Sequence, residues 1–122
     1  MSVYRRSRRL DDEAWLRHVL DAVRRARELS EGKKLGELAP DDETALALTR
    51  LLEILGEAAG RISPALRSLH PDIPWRDISD TRNRVIHQYF DVDMEVVEAI
   101  VRDDLPPLTQ QLETLLEEIT AR

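Results

Sequence analysis

The apolar residues of this chain recur at spacings of three and four over most of its length, a pattern that predicts amphipathic helices. Four main segments show this spacing. The first is predicted to run from about Asp11 to Leu29, with Asp11 or Asp12 as its N-cap. Gly32 lies just beyond its end and is a natural helix stop.

The second helix follows the sequence Pro40-Asp41-Asp42, which favours a helix start. Its apolar residues, from Leu46 to Ile62, cover more than one side, and a helix of that kind is usually the most buried one. Gly56 and Gly60 lie four residues apart on it. They predict a flat strip where another segment can approach closely.

A short extra helix is predicted to start at Ser63-Pro64, as N-cap and first position, and to end near Leu69. Residues 70–74 form a loop, because each proline disfavours helix in the residue before it. The third main helix is predicted to start at Pro74 or Trp75 and to end near Phe90.

Asp93 is placed to cap the fourth helix, whose apolar residues from Val97 to Ile119 form a heptad-like seam. Pro106-Pro107 lies within that seam and predicts a kink or a break. Short loops between amphipathic helices favour antiparallel neighbours. The expected fold is therefore all-α, an up-and-down antiparallel bundle of four main helices with a short extra helix, in one domain spanning residues 1–122.

The composition of the 122 residues agrees with one domain that has a single core. The absence of cysteine excludes disulfides, thiolate zinc sites and a cysteine nucleophile. The first ten residues lack the apolar run of a signal peptide, and no stretch approaches the roughly 20 apolar residues that span a bilayer. We therefore expect a cytoplasmic protein without membrane contact.

The formal net charge of -6 argues against general coating of nucleic acid, because phosphate binding needs a basic surface. A role with RNA would require a local pocket. The sequence Arg5-Arg6-Ser7-Arg8-Arg9 is either a basic arm or a solvated terminus, and we expect residues 1–9 to be flexible.

One segment of the third helix carries candidate chemistry. On a helical wheel Arg82 falls in an apolar stripe formed by Trp75, Ile78, Val85, Ile86 and Tyr89. A guanidinium group in that position is costly unless it is satisfied. Asn83 and His87, four residues apart, fall together on the flank of the stripe. The pattern alone leaves open whether this is a functional site or an arginine that reaches past the core edge to a carboxylate.

The segment Arg82-Asn83-Arg84-Val85-Ile86-His87-Gln88-Tyr89 resembles the R-x-x-x-x-H-x-Y motif of HepT-like toxins in the HEPN superfamily, which pair with MNT-type minimal nucleotidyltransferase antitoxins. The flanking residues 70–75, 89–93 and 103–108 are also typical of that family. The resemblance runs from about Leu51 to Leu112 and more loosely through the first helix. It implies a HEPN-like bundle that forms a homodimer, with two motifs across a cleft that cleaves RNA without a metal.

The resemblance also implies a role for each motif residue. His87 would be the general acid or base, since an unperturbed imidazole pKa of about 6.5 suits that task. Arg82 would bind the scissile phosphate and offset the charge that develops in the transition state. Asn83 would orient the phosphate or the histidine. Tyr89 would line the site and accept AMP from a partner nucleotidyltransferase. We expect no cofactor, and no close set of His, Asp and Glu has the spacing of a metal site.

The sequence departs from the family pattern in two places. Asp80-Thr81 stands where Gly-Met often precedes the motif arginine, and Gln88 stands where a glycine often separates the histidine from the tyrosine. Both departures are expected to affect RNA binding more than the fold. His18 and His70 are expected to be a solvent-facing residue and a loop residue without function.

Three functions follow from this pattern. The first is an endoribonuclease toxin of a HEPN/MNT toxin-antitoxin pair. The alternative is a non-catalytic HEPN binding module that holds a minimal nucleotidyltransferase. In the third, the motif only packs a dimer of helical bundles, and the loss of Arg82 would dissociate that dimer.

Overall fold

The chain is predominantly helical. A computed structural model describes the backbone of residues 3–88 and 91–121 and the side chains of residues 11–86 and 91–121. The helices are α1 (Val3–Ser30), α2 (Glu43–Gly60), α3 (Pro64–Leu69), α4 (Trp75–Ser79), α5 (Thr81–Val85), α6 (Met94–Ala99) and α7 (Leu105–Thr120). A 3₁₀ turn, Leu35–Glu37, follows α1, and a π-helical segment, Ile100–Asp104, joins α6 to α7. The predicted all-α class is confirmed, while the up-and-down order stays a prediction.

The core forms where α1 packs against α2 and α7. The largest fully buried side chains lie on these three helices and on the segments beside them: Leu16, Leu20, Leu35, Leu48, Leu52, Leu55, Ile62, Leu105, Leu112 and Leu115. The other side of α2 contacts α4 and α5, and α5 carries the start of the motif. The most buried predicted helix therefore also supports the candidate site.

The predicted start of the second helix and two predicted helix caps are confirmed. The carboxylate of Asp42 accepts hydrogen bonds from the backbone N–H groups of Thr44 and Ala45 at the start of α2. Ser63 caps α3 in the same way, and Asp93 caps α6. Gly32, with φ of 71°, ends the α1 region as predicted.

The predicted start of the first helix is wrong. α1 begins at Val3, so Asp11 and Asp12 lie inside the helix and cap nothing there. Asp12 is buried, and its carboxylate accepts two hydrogen bonds from Ser63, from the backbone N–H at 2.8 Å and from the hydroxyl at 2.6 Å. Asp12 therefore joins α1 to the start of α3. The flexibility predicted for residues 1–9 stays a prediction.

The predicted interruption of the last helix is present near the prolines. The π-helical segment ends at Asp104, and Pro106-Pro107 lies in the first turn of α7, which begins at Leu105. Arg102 of this segment donates hydrogen bonds to the carbonyl oxygens of Ser30 and Lys33, each at 2.7 Å. It thereby satisfies carbonyl groups at the end of α1.

The predicted third helix is wrong in its extent. It is divided at Asp80, whose φ of -90° and ψ of 6° separate α4 from α5. It also ends at Val85 instead of near Phe90, because the chain continues into a short strand. Strand β1 (Ile86–Gln88) pairs antiparallel with β2 (Asp91–Val92).

The flat strip predicted on α2 is used at one of its two glycines. A Cβ atom at Gly56 would lie 3.1 Å from the carbonyl oxygen of Ile78 and 3.4 Å from that of Ser79. Gly60 has no such neighbour within 4 Å. The end of α4 therefore lies directly on the backbone of α2 at Gly56.

We expect Gly60→Ala to stabilise the fold by up to about 1 kcal/mol, because alanine is the better helix former. Gly56→Ala should lose that gain, since its methyl group must displace backbone carbonyls at the α4–α5 junction. Urea denaturation of both variants measures the difference. Equal stabilisation by the two alanines would contradict the close packing at Gly56.

None of the helices in the described part of the chain is both long enough and apolar enough to cross a membrane.

Candidate active site

The first half of the motif lies on α5, directly after the break at Asp80. Thr81 takes the buried position of this helix, where only 2% of its surface is exposed and its hydroxyl donates to the carbonyl oxygen of Ile78 at 2.6 Å. Arg82 lies on the outer side, and 63% of its side chain is exposed. The prediction that Arg82 interrupts a buried apolar stripe is therefore wrong, because Trp75, Ile78, Thr81 and Val85 form that stripe.

Arg82 forms an ion pair with α2. Its Nε lies 3.6 Å from Oε2 of Glu53, whose side chain is 28% exposed. The carboxylate is thus more enclosed than the guanidinium group that it contacts. Most of the arginine side chain remains open to solvent and to a ligand. This contact matches the open interpretation in which the arginine reaches a carboxylate on another helix.

The two residues after Arg82 also contact carboxylates. Asn83 is exposed, and its Nδ2 donates to Oδ1 of Asp80 at 2.6 Å. Arg84 donates from Nη2 to Oδ2 of Asp104, in the π-helical segment, at 3.3 Å. The motif is therefore tied to the last helical region as well as to α2.

A cleft of about 270 Å³ lies beside α5, and Thr81 and Arg84 are part of its wall. Other wall residues come from α4, the π-helical segment and α7, and three of them are the carboxylates of Asp77, Asp103 and Asp104. Arg82 and Asn83 are not among the wall residues. Three carboxylates facing one guanidinium group disfavour a phosphate here, so the side of α5 that carries Arg82 is the better place for an anion.

The second half of the motif lies on the hairpin. Ile86 pairs with Val92, and Gln88 pairs with Asp91, so two steps along β1 match one step along β2. The irregularity in register falls at His87, as in a β-bulge, a feature that is common next to active sites. The prediction that His87 stacks on Asn83 along one helix is wrong, because the helix ends at Val85. The side chain of His87 and the whole of Tyr89 lie outside the described residues.

The other two histidines lie apart from the motif. His18 is exposed on α1, as predicted, and its ring lies 5.8 Å from that of Trp15. His70 follows α3, and its Nε2 lies 3.0 Å from Oε2 of Glu118 on α7. Among the described residues, no group of three or more His, Cys, Asp or Glu side chains is placed to hold a metal ion.

Comparison with known families identifies the chain. The model of the family "Ribonuclease HepT-like" matches residues 19–115, which include α2, the motif and most of α7. The chain belongs to this HepT-like family. The match includes the region of the stronger resemblance, from about Leu51 to Leu112, and extends into α1, where the predicted resemblance is looser. The carboxylates that contact the motif, at Glu53, Asp80 and Asp104, also lie within it.

HepT-like relatives cover nearly the same length. A protein of Thermococcus cleftensis named "Probable ribonuclease HepT" is 35% identical over 101 residues, which are 83% of this chain and 92% of that protein. A protein of Caldanaerobacter subterraneus that is named as an RNase is 28% identical over 103 residues, 84% of this chain and 92% of that protein. One from Methanocaldococcus jannaschii, also named as an RNase, is 30% identical over 103 residues, 84% and 94% of the two chains. No solved structure matches the chain at a significant level.

Two residues that contact the motif could not be predicted from the sequence. Glu53 carries no signal in the sequence, because it is an ordinary glutamate on a helix 29 residues before Arg82. Asp104 belongs to the family-like segment 103–108, but its contact with Arg84 depends on how α5 and the π-helical segment pack. The contacts of Glu53 with Arg82 and of Asp104 with Arg84 both depend on the packing of separate helical segments.

Proposed function

We propose that this HepT-like chain is a metal-independent endoribonuclease with a site formed by Arg82, Asn83, His87 and Tyr89. The observation that carries the proposal is the complete R-x-x-x-x-H-x-Y motif inside the family match at residues 19–115. The exposed guanidinium group of Arg82 supports it, because a phosphate must be able to reach this group. The relatives named as ribonucleases support RNA as the substrate.

The proposed reaction needs one phosphate ligand and proton transfer at two oxygens. His87 accepts the proton of a ribose 2′-hydroxyl while the 2′-oxygen forms a bond to phosphorus and the bond to the 5′-oxygen breaks. The leaving 5′-oxygen takes up a proton from a second, protonated imidazole, so the products are a 2′,3′-cyclic phosphate and a 5′-hydroxyl. Arg82 offsets the charge on the phosphoryl oxygens during this step. Asn83 orients the phosphate, and Tyr89 lines the site.

One imidazole cannot be base and acid in the same step, which is why we propose a homodimer with two motifs across a cleft. The surface of α2 supports this assembly. Leu46 is 55% exposed and lies two turns before Glu53 on the same side of α2. A neighbouring groove between α1 and α2 has an apolar wall that includes Leu51 and Ile54. A second copy that covers this surface would bury Leu46 and the apolar wall of the groove.

We further propose that the chain is the toxin of a toxin-antitoxin pair in the cytoplasm. Its antitoxin would be an MNT-type nucleotidyltransferase that attaches AMP to Tyr89. A nucleotide on that tyrosine would fill the space in which RNA binds. Residues 1–122 would act as one HEPN-like domain throughout.

The purified protein is expected to cleave a labelled RNA in EDTA, and Arg82→Ala is expected to slow cleavage by about 10²- to 10³-fold, the range for loss of a group that stabilises transition-state charge. Arg76→Ala is the matched control, since Arg76 is also exposed but lies on α4 before the motif. Rates under single-turnover conditions measure both effects. Equal rates for the parent and Arg82→Ala would contradict the proposed role of Arg82.

Light scattering on the same samples tests the assembly. The parent and Arg82→Ala should both be dimers at micromolar concentration. A monomeric parent would remove the basis of the two-motif cleft. Dissociation of Arg82→Ala alone would favour the reading in which the motif only packs the dimer.

One observation favours the alternative, a non-catalytic module that binds a minimal nucleotidyltransferase. Arg82 and Asn83 each contact a carboxylate of the same chain, which competes with a phosphate. For such a module, the parent would leave RNA intact under all conditions. Its Tyr89 would still accept AMP from the co-purified partner, as a mass increase in the intact protein would reveal.

A further inference from the structure

Two carboxylates of this chain flank the groups that are proposed to bind phosphate. Oε2 of Glu53 lies 3.6 Å from Nε of Arg82. Oδ1 of Asp80 accepts a hydrogen bond from Asn83 at 2.6 Å. An anion that binds to Arg82 and Asn83 therefore meets two negative charges at the edge of the site.

The backbone that carries Glu53 is held close to α5. Glu53 is half-buried on α2, one turn before Gly56, where the end of α4 packs on the helix backbone. Its carboxylate therefore extends from a backbone position beside α5. Glu57, one turn further along α2, differs, since it pairs with Arg61 of its own helix at 3.6 Å and is 67% exposed.

The carboxylate of Asp80 is not needed as a helix cap. Asp80 precedes α5, but its side chain makes no capping hydrogen bond to the helix backbone. It contacts the side chain of Asn83 instead. Asp80 therefore adds a negative charge next to the motif, and this charge does not cap α5.

We propose that Glu53 and Asp80 determine the substrate specificity of the motif site, by admitting singly charged phosphodiesters inside an RNA chain and disfavouring doubly charged terminal phosphates. This inference rests on the proposed ribonuclease function. A guanidinium group alone binds both kinds of phosphate. The repulsion from each carboxylate scales with the charge of the ligand, so it is about twice as large for a phosphate monoester as for a diester. The site would thus select internal positions of RNA over its phosphorylated ends.

The test uses a fully 2′-O-methylated RNA with a 5′-hydroxyl, which cannot be cleaved through a 2′-hydroxyl, so that binding is measured alone. Fluorescence anisotropy at low salt should show about threefold to tenfold tighter binding for Glu53→Gln and for Asp80→Asn, the effect of one charge removed near a partly solvated phosphate. The matched controls are Glu57→Gln, whose carboxylate pairs with Arg61 of its own helix, and Asp77→Asn, whose side chain lines the cleft on the Arg84 side. Their affinities should rise by a clearly smaller factor than those of Glu53→Gln and Asp80→Asn.

Inorganic phosphate at pH 8 is the second probe, followed through the NMR signal of the Arg82 Nε–H group. Its affinity should rise in Glu53→Gln and Asp80→Asn by a larger factor than the affinity for RNA, because its charge is larger. A smaller or equal factor would overturn the inferred selectivity. Unchanged RNA affinity in both variants, or equal gains in the controls, would overturn it as well.

The two probes separate failure of the inference from failure of the proposed function. If the parent and all variants failed to bind the RNA, the ribonuclease proposal would be lost. The phosphate titration would then test only whether the two carboxylates weaken the binding of an anion to Arg82. Equal phosphate affinities in the parent and both variants would show that Glu53 and Asp80 do not restrict the site.

Discussion

Replacing His87 by alanine is expected to slow RNA cleavage by about 10²- to 10⁴-fold, the usual contribution of a positioned acid or base. In the proposed dimer, the variant lacks both the imidazole that accepts the proton of the 2′-hydroxyl and the imidazole that protonates the leaving oxygen. A 5′-labelled RNA in EDTA, followed under single-turnover conditions, measures the loss. Circular dichroism should be unchanged, because His87 lies in a three-residue strand and not in the helical core.

The chain contains its own controls for this experiment. His18→Ala and His70→Ala remove the other two histidines, one exposed on α1 and one paired with Glu118. Both should cleave RNA like the parent, and identical purification of all three variants excludes a contaminating nuclease as the source of cleavage. Full activity of His87→Ala would take His87 out of the chemistry. Loss of activity in all three would point to general damage to the fold.

Replacing Asp12 by alanine is expected to lower the free energy of unfolding by about 2–3 kcal/mol, the range for lost hydrogen bonds to a charged group. The buried carboxylate accepts two short hydrogen bonds from Ser63, and alanine leaves the Ser63 N–H without its partner. Urea denaturation monitored by circular dichroism measures the change. RNA cleavage at a temperature far below the transition should be unaffected, since the contact joins α1 to α3 and not to the motif.

Asp11→Ala is the matched control for Asp12, because Asp11 is its exposed neighbour on α1. Its free energy of unfolding should stay within about 0.5 kcal/mol of the parent, as is usual for surface positions. A double-mutant cycle with Ser63→Ala gives the coupling between the two residues. A coupling energy near zero, or equal effects at Asp11 and Asp12, would contradict the importance of this bridge.

The parts of the fold that depend on local sequence could be predicted. Asp42, Ser63 and Asp93 bond to backbone groups two or three residues further along, so their caps are visible in the sequence itself. Asp12 looked like another cap for the same reason. Its true partner lies 51 residues away, and only the packing of α1 against the start of α3 brings the two together.

The third helix could not be predicted correctly from its periodicity. A helical wheel assumes one continuous helix, whereas Asp80 divides this segment. Thr81 was not an evident core residue either. The Thr81 hydroxyl donates a hydrogen bond to the carbonyl oxygen of Ile78. This bond satisfies the hydroxyl group, so the side chain can be buried between α4 and α5. With Thr81 on the inner side, Arg82 turns to the outer side.

In the candidate site, too, the residues that are close in sequence could be predicted and the tertiary contacts could not. The motif residues are close in sequence, so the resemblance to HepT-like proteins found them. Glu53 could not be found in this way, since nothing in the sequence of α2 distinguishes it from Glu57. Only the packing of α5 on α2 sets Glu53 beside Arg82.

The π-helical segment at residues 100–104 has a consequence for how this chain can change in evolution. A π-turn inside an α-helix corresponds to one inserted residue, and each residue turns a helix by about 100°. The wide turn takes up its extra residue locally, so the facing sides of α6 and α7 are kept. Removing a single residue here would close the wide turn that presents Arg102 to the end of α1 and Asp104 to Arg84. The length of this segment is therefore constrained more tightly than the identity of most of its side chains.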